Sequence, residues 1–214
     1  MPFSVPNLAL VIDRRLYRVH SEDAAPLSLV EAAIEGGITM VQLRLGDGGD
    51  RHIVGGDDLA ANAVAQRLRE MTAGRVPFLV TGDIELADRC RADGVVLVGD
   101  KTYRPDHARD YLHANAIVGC YVDTLRAAAI AEHGGADFVQ FGPIFDNDGK
   151  ENLSLIRKIK DAVNVSLVAY GGMDTLDKVK MAVDAGADGV AVTNTILDAP
   201  DPISATRELR AAIG

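Results

Sequence analysis

Tryptophan is absent from this chain of 214 residues, other aromatic residues are few, and there are only two cysteines. Cys90 and Cys120 stand far apart, which excludes the closely spaced cysteines of a zinc site or a disulfide scaffold and favours buried thiols in a reducing compartment. No apolar run approaches the roughly 20 residues of a membrane-spanning helix. The first residues lack the basic start and the small-residue cleavage site of a signal peptide. These absences predict a cytoplasmic protein without a membrane partner.

Positive charge is also scarce, with 22 lysines and arginines against 31 aspartates and glutamates and a net charge of −9. Nucleic acids and anionic membranes repel such a surface, so we expect neither as a partner, while a basic pocket inside the acidic shell stays open. Hydrophobic residues make up 48% of the chain, which is enough for a full core. The length fits a single domain over residues 1–214.

Eight short apolar runs alternate with amphipathic stretches along the chain. Apolar runs of this kind are typical of parallel strands buried on both faces, and the amphipathic stretches have the period of helices. The strands are predicted near Leu8–Ile12, Met40–Leu43, Phe78–Thr81, Val95–Val98, Ile117–Tyr121, Phe138–Phe141, Ser166–Tyr170 and Val190–Val192. The helices are predicted near Leu27–Glu35, Asp57–Thr72, Ile84–Arg91, Arg104–His113, Thr124–His133, Leu153–Ala162, Leu176–Ala185 and Pro202–Ile213. This order predicts an α/β fold, a single (β/α)8 TIM barrel.

A faint repeat marks the even-numbered strands, where the chain reads EGGITMV, RADGV, GGADFV and AGADGV. In three of the four copies an aspartate stands at the entry of the strand, namely Asp93, Asp137 and Asp188. The entry is the bottom of a barrel of this type, opposite the end where active sites form. We therefore interpret the three carboxylates as structural groups that bond nearby backbone N–H groups.

Polar residues at the other ends of the strands are candidates for binding an anion. Gln42 and Arg44 alternate with apolar neighbours, so both point into the barrel or its mouth. A buried guanidinium there needs an anion, either a bound phosphate or a carboxylate of the barrel. Lys150 follows a glycine-bearing loop and either holds a phosphate or is a solvated lysine. Asp146 and Asp148 beside it are turn formers or ligands of a divalent metal.

The turns after strands seven and eight are the predicted phosphate cradle. Gly171-Gly172 and Thr193–Thr195 both stand at strand-to-helix junctions, and the loops after the last two strands of such barrels commonly hold a phosphate. Glycine lets a backbone N–H approach an anion without a Cβ in the way. The polar segment Leu45–Asp58 follows the second strand and is either a mobile lid or a solvated loop.

Taken in order, these landmarks resemble the thiamine phosphate synthase family and its sister group of thiazole tautomerase-like proteins. The matching segments are Gly36-Gly37, Val41–Arg44, Ala92–Val95, Gly134–Val139, Phe141–Phe145, Lys150, Gly171-Gly172 and Ala187–Val192. The resemblance implies that the barrel joins a hydroxymethylpyrimidine diphosphate to a thiazole phosphate. Pyrophosphate leaves with the help of Mg²⁺, and the thiazole nitrogen captures the resulting carbocation.

The resemblance also implies roles for the matched positions. Arg44 and Lys150 would be the catalytic residues, Arg44 beside Gln42 at the pyrimidine pyrophosphate and Lys150 at the leaving group. The other implied substrate-binding residues are Thr81, Tyr121, Gly171, Gly172, Val192, Thr193 and Asn194. Asp83 and Asp100 lie one residue from the positions of the family's metal carboxylates and are the candidates for holding Mg²⁺.

The expected partner is therefore a phosphorylated small molecule, and a homodimer is the assembly to test. Two other functions stay open on the same barrel. One is a metal-independent isomerase or lyase of a phosphorylated small molecule, because Gly82 and Lys101 stand where the family has its metal carboxylates. The other is a non-catalytic barrel that binds a phosphorylated metabolite.

Overall fold

Eight parallel strands close into a barrel in which each strand pairs with the next and the last pairs with the first. The computed structural model of the chain describes residues 7–13, 25–45, 59–98, 104–145 and 150–214. The strands are β1 (Leu8–Asp13), β2 (Met40–Arg44), β3 (Phe78–Thr81), β4 (Gly94–Leu97), β5 (Ile117–Val122), β6 (Phe138–Phe141), β7 (Ser166–Tyr170) and β8 (Gly189–Val192). The predicted (β/α)8 TIM barrel is confirmed.

Helices connect the strands on the outside of the barrel. Within the described ranges they are α1 (Ala25–Gly36), α2 (Leu59–Thr72), α3 (Ile84–Arg89), α4 (Pro105–Tyr111), α5 (Leu125–His133), α6 (Lys150–Ala162), α7 (Leu176–Asp184), α8 (Asn194–Leu197) and α9 (Pro202–Ile213). No described helix combines the length and the apolar character that crossing a bilayer requires.

Side-chain caps determine where several helices begin. Thr124 accepts a hydrogen bond from the amide of Ala127, and Thr175 accepts one from the amide of Lys178. Each satisfies an N–H that the first turn of a helix leaves without a partner. Asp201 caps α9 in the same way, and this helix has the predicted bounds.

The strands β3, β6 and β7 also have the predicted bounds, and the remaining boundaries differ by three residues or fewer. The fourth strand was expected at Val95–Val98 and lies one residue earlier, at Gly94–Leu97. The side chain of Val98 is 50% exposed, so its apolar character did not mark a buried strand position. The short helix α8 was not among the predicted helices, because its four residues are too few to show a helical period.

Two apolar layers hold the barrel together. Side chains that point inward include Met40, Leu79, Phe138 and Val168, all fully buried. A larger cluster fills the space between the outer face of the strands and the helices. Cys120 belongs to this outer layer as a buried free thiol, and desolvation raises its pKa to about 12. Cys90 is buried and free as well, so the expectation of buried thiols is confirmed.

The aspartates of the repeat act as structural groups at the bottom of the barrel, as predicted. The carboxylate of Asp137 accepts hydrogen bonds from the amide of Val118 and from the guanidinium of Arg109, both at 2.7 Å. The carboxylate of Asp93 accepts a hydrogen bond from the amide of Phe78 and one from the guanidinium of Arg69. That of Asp188 accepts one from the amide of Leu167 and one from the ammonium of Lys160. Each carboxylate thus ties an even strand to the odd strand before it and to the helix that precedes that odd strand.

Candidate functional site

A cavity of about 390 Å³ opens at the carboxyl ends of the strands. Side chains and backbone from six strands or the turns that follow them line it: Val11, Arg44, Tyr121, Gln140, Pro143, Tyr170, Gly171, Gly172, Met173, Asp174, Ala191, Val192, Thr193, Asn194 and Thr195. This is the end of the barrel at which TIM-barrel active sites form. The cavity therefore brings together Arg44, Tyr121 and both predicted phosphate turns.

The turn after β7 requires two glycines. Gly171 and Gly172 have φ angles of +90° and +65°, a region that residues with a Cβ rarely adopt. A Cβ on Gly172 would lie 2.7 Å from the Cβ of Phe145 in the turn after β6. The backbone of residues 171 and 172 therefore runs tightly against that neighbouring turn while it faces the cavity on the other side.

The turn after β8 lies beside the glycine turn. Its helix α8 begins at Asn194, and the hydroxyl of Thr195 donates a hydrogen bond to the carbonyl of Met173. This bond joins the two turns across the cavity wall. The two turns thus lie side by side, whereas the phosphate that they were expected to hold stays a prediction.

A network of amide and hydroxyl groups lies below the mouth. The Nε2 amide of Gln42 donates to the hydroxyl of Thr81 at 2.6 Å and to the phenol oxygen of Tyr121 at 3.3 Å. Gln140, on β6, donates from its Nε2 to the same phenol oxygen at 3.2 Å. Both glutamines are fully buried. Thr81 is therefore engaged within the barrel interior and does not line the cavity.

Tyr121 is the centre of this network. Its ring packs edge-on against the ring of Tyr170, with the two centroids 4.6 Å apart and the planes at 80°. Burial raises the pKa of the Tyr121 phenol, and the positive charge of Arg44 and the bond from Gln42 oppose that rise. The phenol is therefore neutral at physiological pH and available for hydrogen bonding.

Arg44 ends β2 at the rim of this network. Its guanidinium lies 4.0 Å from the carboxylate of Asp13 at the end of β1, so the ion-pair interpretation has a partner in the barrel. The Nε of Arg44 is buried and has no hydrogen-bond partner among the described residues. Since the side chain also lines the cavity, the same cation is placed to meet an anionic ligand. The alternatives that the sequence left open are compatible with one another.

A second pair of opposite charges lies at the cavity rim. The ammonium of Lys178 lies 2.8 Å from one carboxylate oxygen of Asp174, which lines the cavity, and 2.9 Å from the other. The same ammonium stands 5.5 Å from the centroid of the Phe145 ring. A carboxylate beside a predicted phosphate turn would repel an anion, and the lysine offsets that repulsion.

Among the described residues the structure shows no preformed group of metal ligands. No cluster of three or more histidine, cysteine, aspartate or glutamate side chains occurs within the described ranges. Asp83, one of the two candidates, is 7% exposed and caps α3 by accepting a hydrogen bond from the amide of Leu86 at 2.8 Å. Asp100, the other candidate, lies outside the described residues.

Other predicted features also fall outside what the structure describes. The backbone of Lys150 begins α6, but its side chain is not among the described ones, nor are Asp146, Asp148 and residues 46–58 of the proposed lid. Conversely, the sequence did not predict Gln140, Tyr170 or Asp174 as site residues, although all three line the cavity. A period of two along β6 places Gln140 on the same face as Phe138, and this was the available signal.

Comparison with known proteins links the whole barrel to one family. The model of a family described as thiamine monophosphate synthase matches residues 8–196. A thiamine-phosphate synthase of Natronomonas pharaonis is 39% identical, over 91% of this chain and 90% of that protein. One from Pyrococcus abyssi is 32% identical over 97% and 94%. The solved thiamine phosphate pyrophosphorylase from Pyrococcus furiosus is 30% identical, with a TM-score of 0.77 over 97% of this chain and 95% of that one.

Proposed function

The chain belongs to the thiamine monophosphate synthase family, and we propose that the cavity at its barrel mouth is the site of that family's reaction. The function is the joining of a hydroxymethylpyrimidine diphosphate to a thiazole phosphate, with release of pyrophosphate. In this reaction a C–O bond to the diphosphate breaks, and the leaving group keeps the electron pair. A lone pair of the thiazole nitrogen then forms the new C–N bond.

One observation supports this location above all. The cavity unites a guanidinium at the end of β2 with the paired turns after β7 and β8. The reaction needs two separate anionic groups, a diphosphate and a phosphate, to be held at once. Arg44 follows β2 and the turns at Gly172 and Thr193 follow β7 and β8, so the cavity wall offers two separate groups that suit anions.

The proposal assigns a role to each side. Arg44 binds the diphosphate of the pyrimidine and stabilises the charge that develops as it leaves. The backbone N–H groups of the β7 and β8 turns bind the phosphate of the thiazole, with Gly171, Gly172, Val192, Thr193 and Asn194 forming the cradle. Lys150 is kept as a second cation for the leaving group, on the family resemblance alone. The rings of Tyr121 and Tyr170 form an apolar wall that limits the access of water.

Membership of the family is the only support for magnesium in this proposal. A departing diphosphate is commonly stabilised by Mg²⁺, which binds oxygen ligands. The carboxylates described near the mouth are otherwise engaged: Asp13 near Arg44, Asp83 as a helix cap and Asp174 with Lys178. We therefore assign no described residue to a metal, and the requirement for Mg²⁺ is a question for the assay.

The test is formation of thiamine phosphate from the two substrates by the purified protein, with Mg²⁺ and, separately, with excess chelator. We expect product with Mg²⁺, and a loss of roughly 100-fold in kcat/KM for Arg44→Ala, the scale for removing one group that stabilises transition-state charge. Arg67→Ala is the matched control, because Arg67 pairs with Glu70 on the exposed face of α2. Turnover equal in wild type and Arg44→Ala would refute the site.

The assay also separates the alternative functions. Calorimetric binding of both substrates without product would instead support a barrel that only binds phosphorylated metabolites.

Cytoplasmic location and a homodimer stay predictions of the sequence. Fractionation of cells and light scattering of the purified protein test them directly.

A further inference from the structure

The side chain of Gln140 carries an unsatisfied polar atom at the cavity. The residue is fully buried, and its Oε1 has no hydrogen-bond partner among the described residues. Its other polar atom, Nε2, is held by the phenol oxygen of Tyr121 at 3.2 Å. A buried carbonyl without a partner is costly, and Gln140 is one of the residues that line the cavity, so its Oε1 is a candidate acceptor for a ligand.

The surroundings fix where that acceptor stands. Gln140 and Tyr121 are opposite each other in the register of β5 and β6. Tyr121 is itself held by the amide of Gln42 and by the ring of Tyr170. With its amide nitrogen engaged by this supported phenol, the carboxamide of Gln140 has little freedom to turn. Such a preorganised group discriminates between ligands better than a mobile one.

Gln42 also has an Oε1 without a partner among the described residues, but its position differs. Its amide donates to Thr81 as well as to Tyr121, and the residue does not line the cavity. Of the two glutamines only Gln140 lines the cavity, and Tyr121 is the positioning residue between them.

We propose that Gln140 is a specificity-determining residue whose Oε1 accepts a hydrogen bond from an amino group on the planar heterocycle of the substrate. This inference rests on the proposed function, in which the pyrimidine diphosphate occupies the cavity. A heterocycle without the amino group would leave the buried Oε1 unpaired, and sites that bury a polar group for this purpose reject such analogues strongly. Tyr121 contributes by holding the amide in place.

The test compares two substrates, the aminopyrimidine diphosphate and its analogue with hydrogen in place of the amino group. We expect wild-type protein to bind the amino compound at least about tenfold more tightly, measured as the ratio of the two dissociation constants by calorimetry. In Gln140→Leu this ratio should fall to about twofold or less, whereas the affinity for thiazole phosphate should stay within about twofold of the wild-type value. Gln66→Leu, the same change on the exposed face of α2, should keep the full preference.

Gln140→Met gives a second variant of similar length without the amide, in case the leucine variant does not fold. Circular dichroism establishes that each variant is folded. Calorimetry measures the affinity for each of the two diphosphates without any turnover. An unchanged preference in a folded Gln140 variant overturns the inference while leaving the proposed function intact. Failure of wild-type protein to bind or turn over the aminopyrimidine diphosphate defeats the proposed function, and the inference with it.

Discussion

The phenyl ring of Phe138 occupies the space inside the barrel that a side chain at Gly119 would need. A Cβ on Gly119 would lie 2.3 Å from Cζ of that ring and 2.7 Å from two further ring atoms. Gly119 and Phe138 are opposite each other in the register of β5 and β6. The large side chain on one strand is thus matched by the smallest residue on the next.

Gly119→Ala should therefore destabilise the barrel by overpacking. We expect the free energy of unfolding to fall by about 1–3 kcal/mol, the usual range for a methyl group forced into a packed core. Urea unfolding followed by circular dichroism measures the change.

The double variant Gly119→Ala with Phe138→Leu is the control for this prediction, since leucine frees the space of the ring. Its free energy of unfolding should be about 1 kcal/mol higher than the value obtained by adding the losses of the two single variants. The effects of substitutions at residues in contact are generally not additive. Strict additivity would mean that the ring and the glycine do not depend on each other.

Asp137→Asn tests the carboxylates at the bottom of the barrel. Asp137 accepts hydrogen bonds from a backbone amide and from the guanidinium of Arg109, so the substitution removes a charge-assisted bond. We expect a loss of about 1–2 kcal/mol in the free energy of unfolding, at the low end for a charged pair because both side chains are partly exposed. Urea unfolding at neutral pH measures it.

The matched control is Glu70→Gln, which removes a carboxylate from the exposed pair with Arg67 on α2. Exposed pairs contribute about 0.5 kcal/mol or less, so this variant should unfold close to wild type. Equal losses in the two variants would contradict the structural role assigned to Asp137.

Gly172→Ala tests the turn after β7. Its φ of +65° strains any residue with a Cβ, and the added methyl group meets Phe145. We expect the affinity for the thiazole phosphate, measured by calorimetry, to fall by roughly tenfold or more, because the turn must move to admit the methyl group.

Gly74→Ala is the matched control for the turn. Gly74 has a similar φ of +72°, and no atom within 4 Å would meet its Cβ. Gly74→Ala should lose about 1 kcal/mol of stability from backbone strain, and Gly172→Ala should lose more because its methyl group also meets Phe145. Only Gly172→Ala should lose affinity for the thiazole phosphate. An equal loss of affinity in Gly74→Ala would show that reduced stability, and not the turn after β7, causes the effect.

Asp174→Asn should strengthen anion binding at the cavity rim. The substitution removes a negative charge that lines the cavity and releases the ammonium of Lys178 from its ion pair. We expect the affinity for thiazole phosphate to rise by about two- to fivefold at low salt, with a steeper decline as salt is added. Calorimetry at two salt concentrations measures both effects.

Asp177→Asn, at the exposed residue directly before the same lysine, changes the net charge equally and should have a smaller effect on affinity. An equal increase in both variants would show that overall charge, and not the rim pair, controls anion binding.

Much of the architecture was predictable because it depends on sequence patterns that span only a few residues. Apolar runs alternating with helical periods predicted eight strands in the right order, and the glycines at 171 and 172 marked a real turn with positive φ angles. The aspartates of the repeat were also recognisable, since a polar residue at a strand entry has few roles other than bonding nearby backbone groups.

The composition of the site depends instead on residues that lie far apart in the chain. Gln140 looks like any polar residue in a short strand until ring closure places it beside Tyr121 and near Gln42. Asp83 was a metal candidate from its position in the sequence, which did not show that it caps α3. Both contacts depend on the fold, and one chain position carries no record of them.

The sequence by itself determined the barrel, its strand order and its family, because hydrophobic periodicity, turn glycines and ordered motifs act over a few residues at a time. Only the tertiary structure decided which polar groups meet at the mouth and which are left without a partner. The physical reason is that closing eight strands into a ring sets distances between residues dozens of positions apart. Hydrogen bonds and charges respond to those distances and not to spacing along the chain.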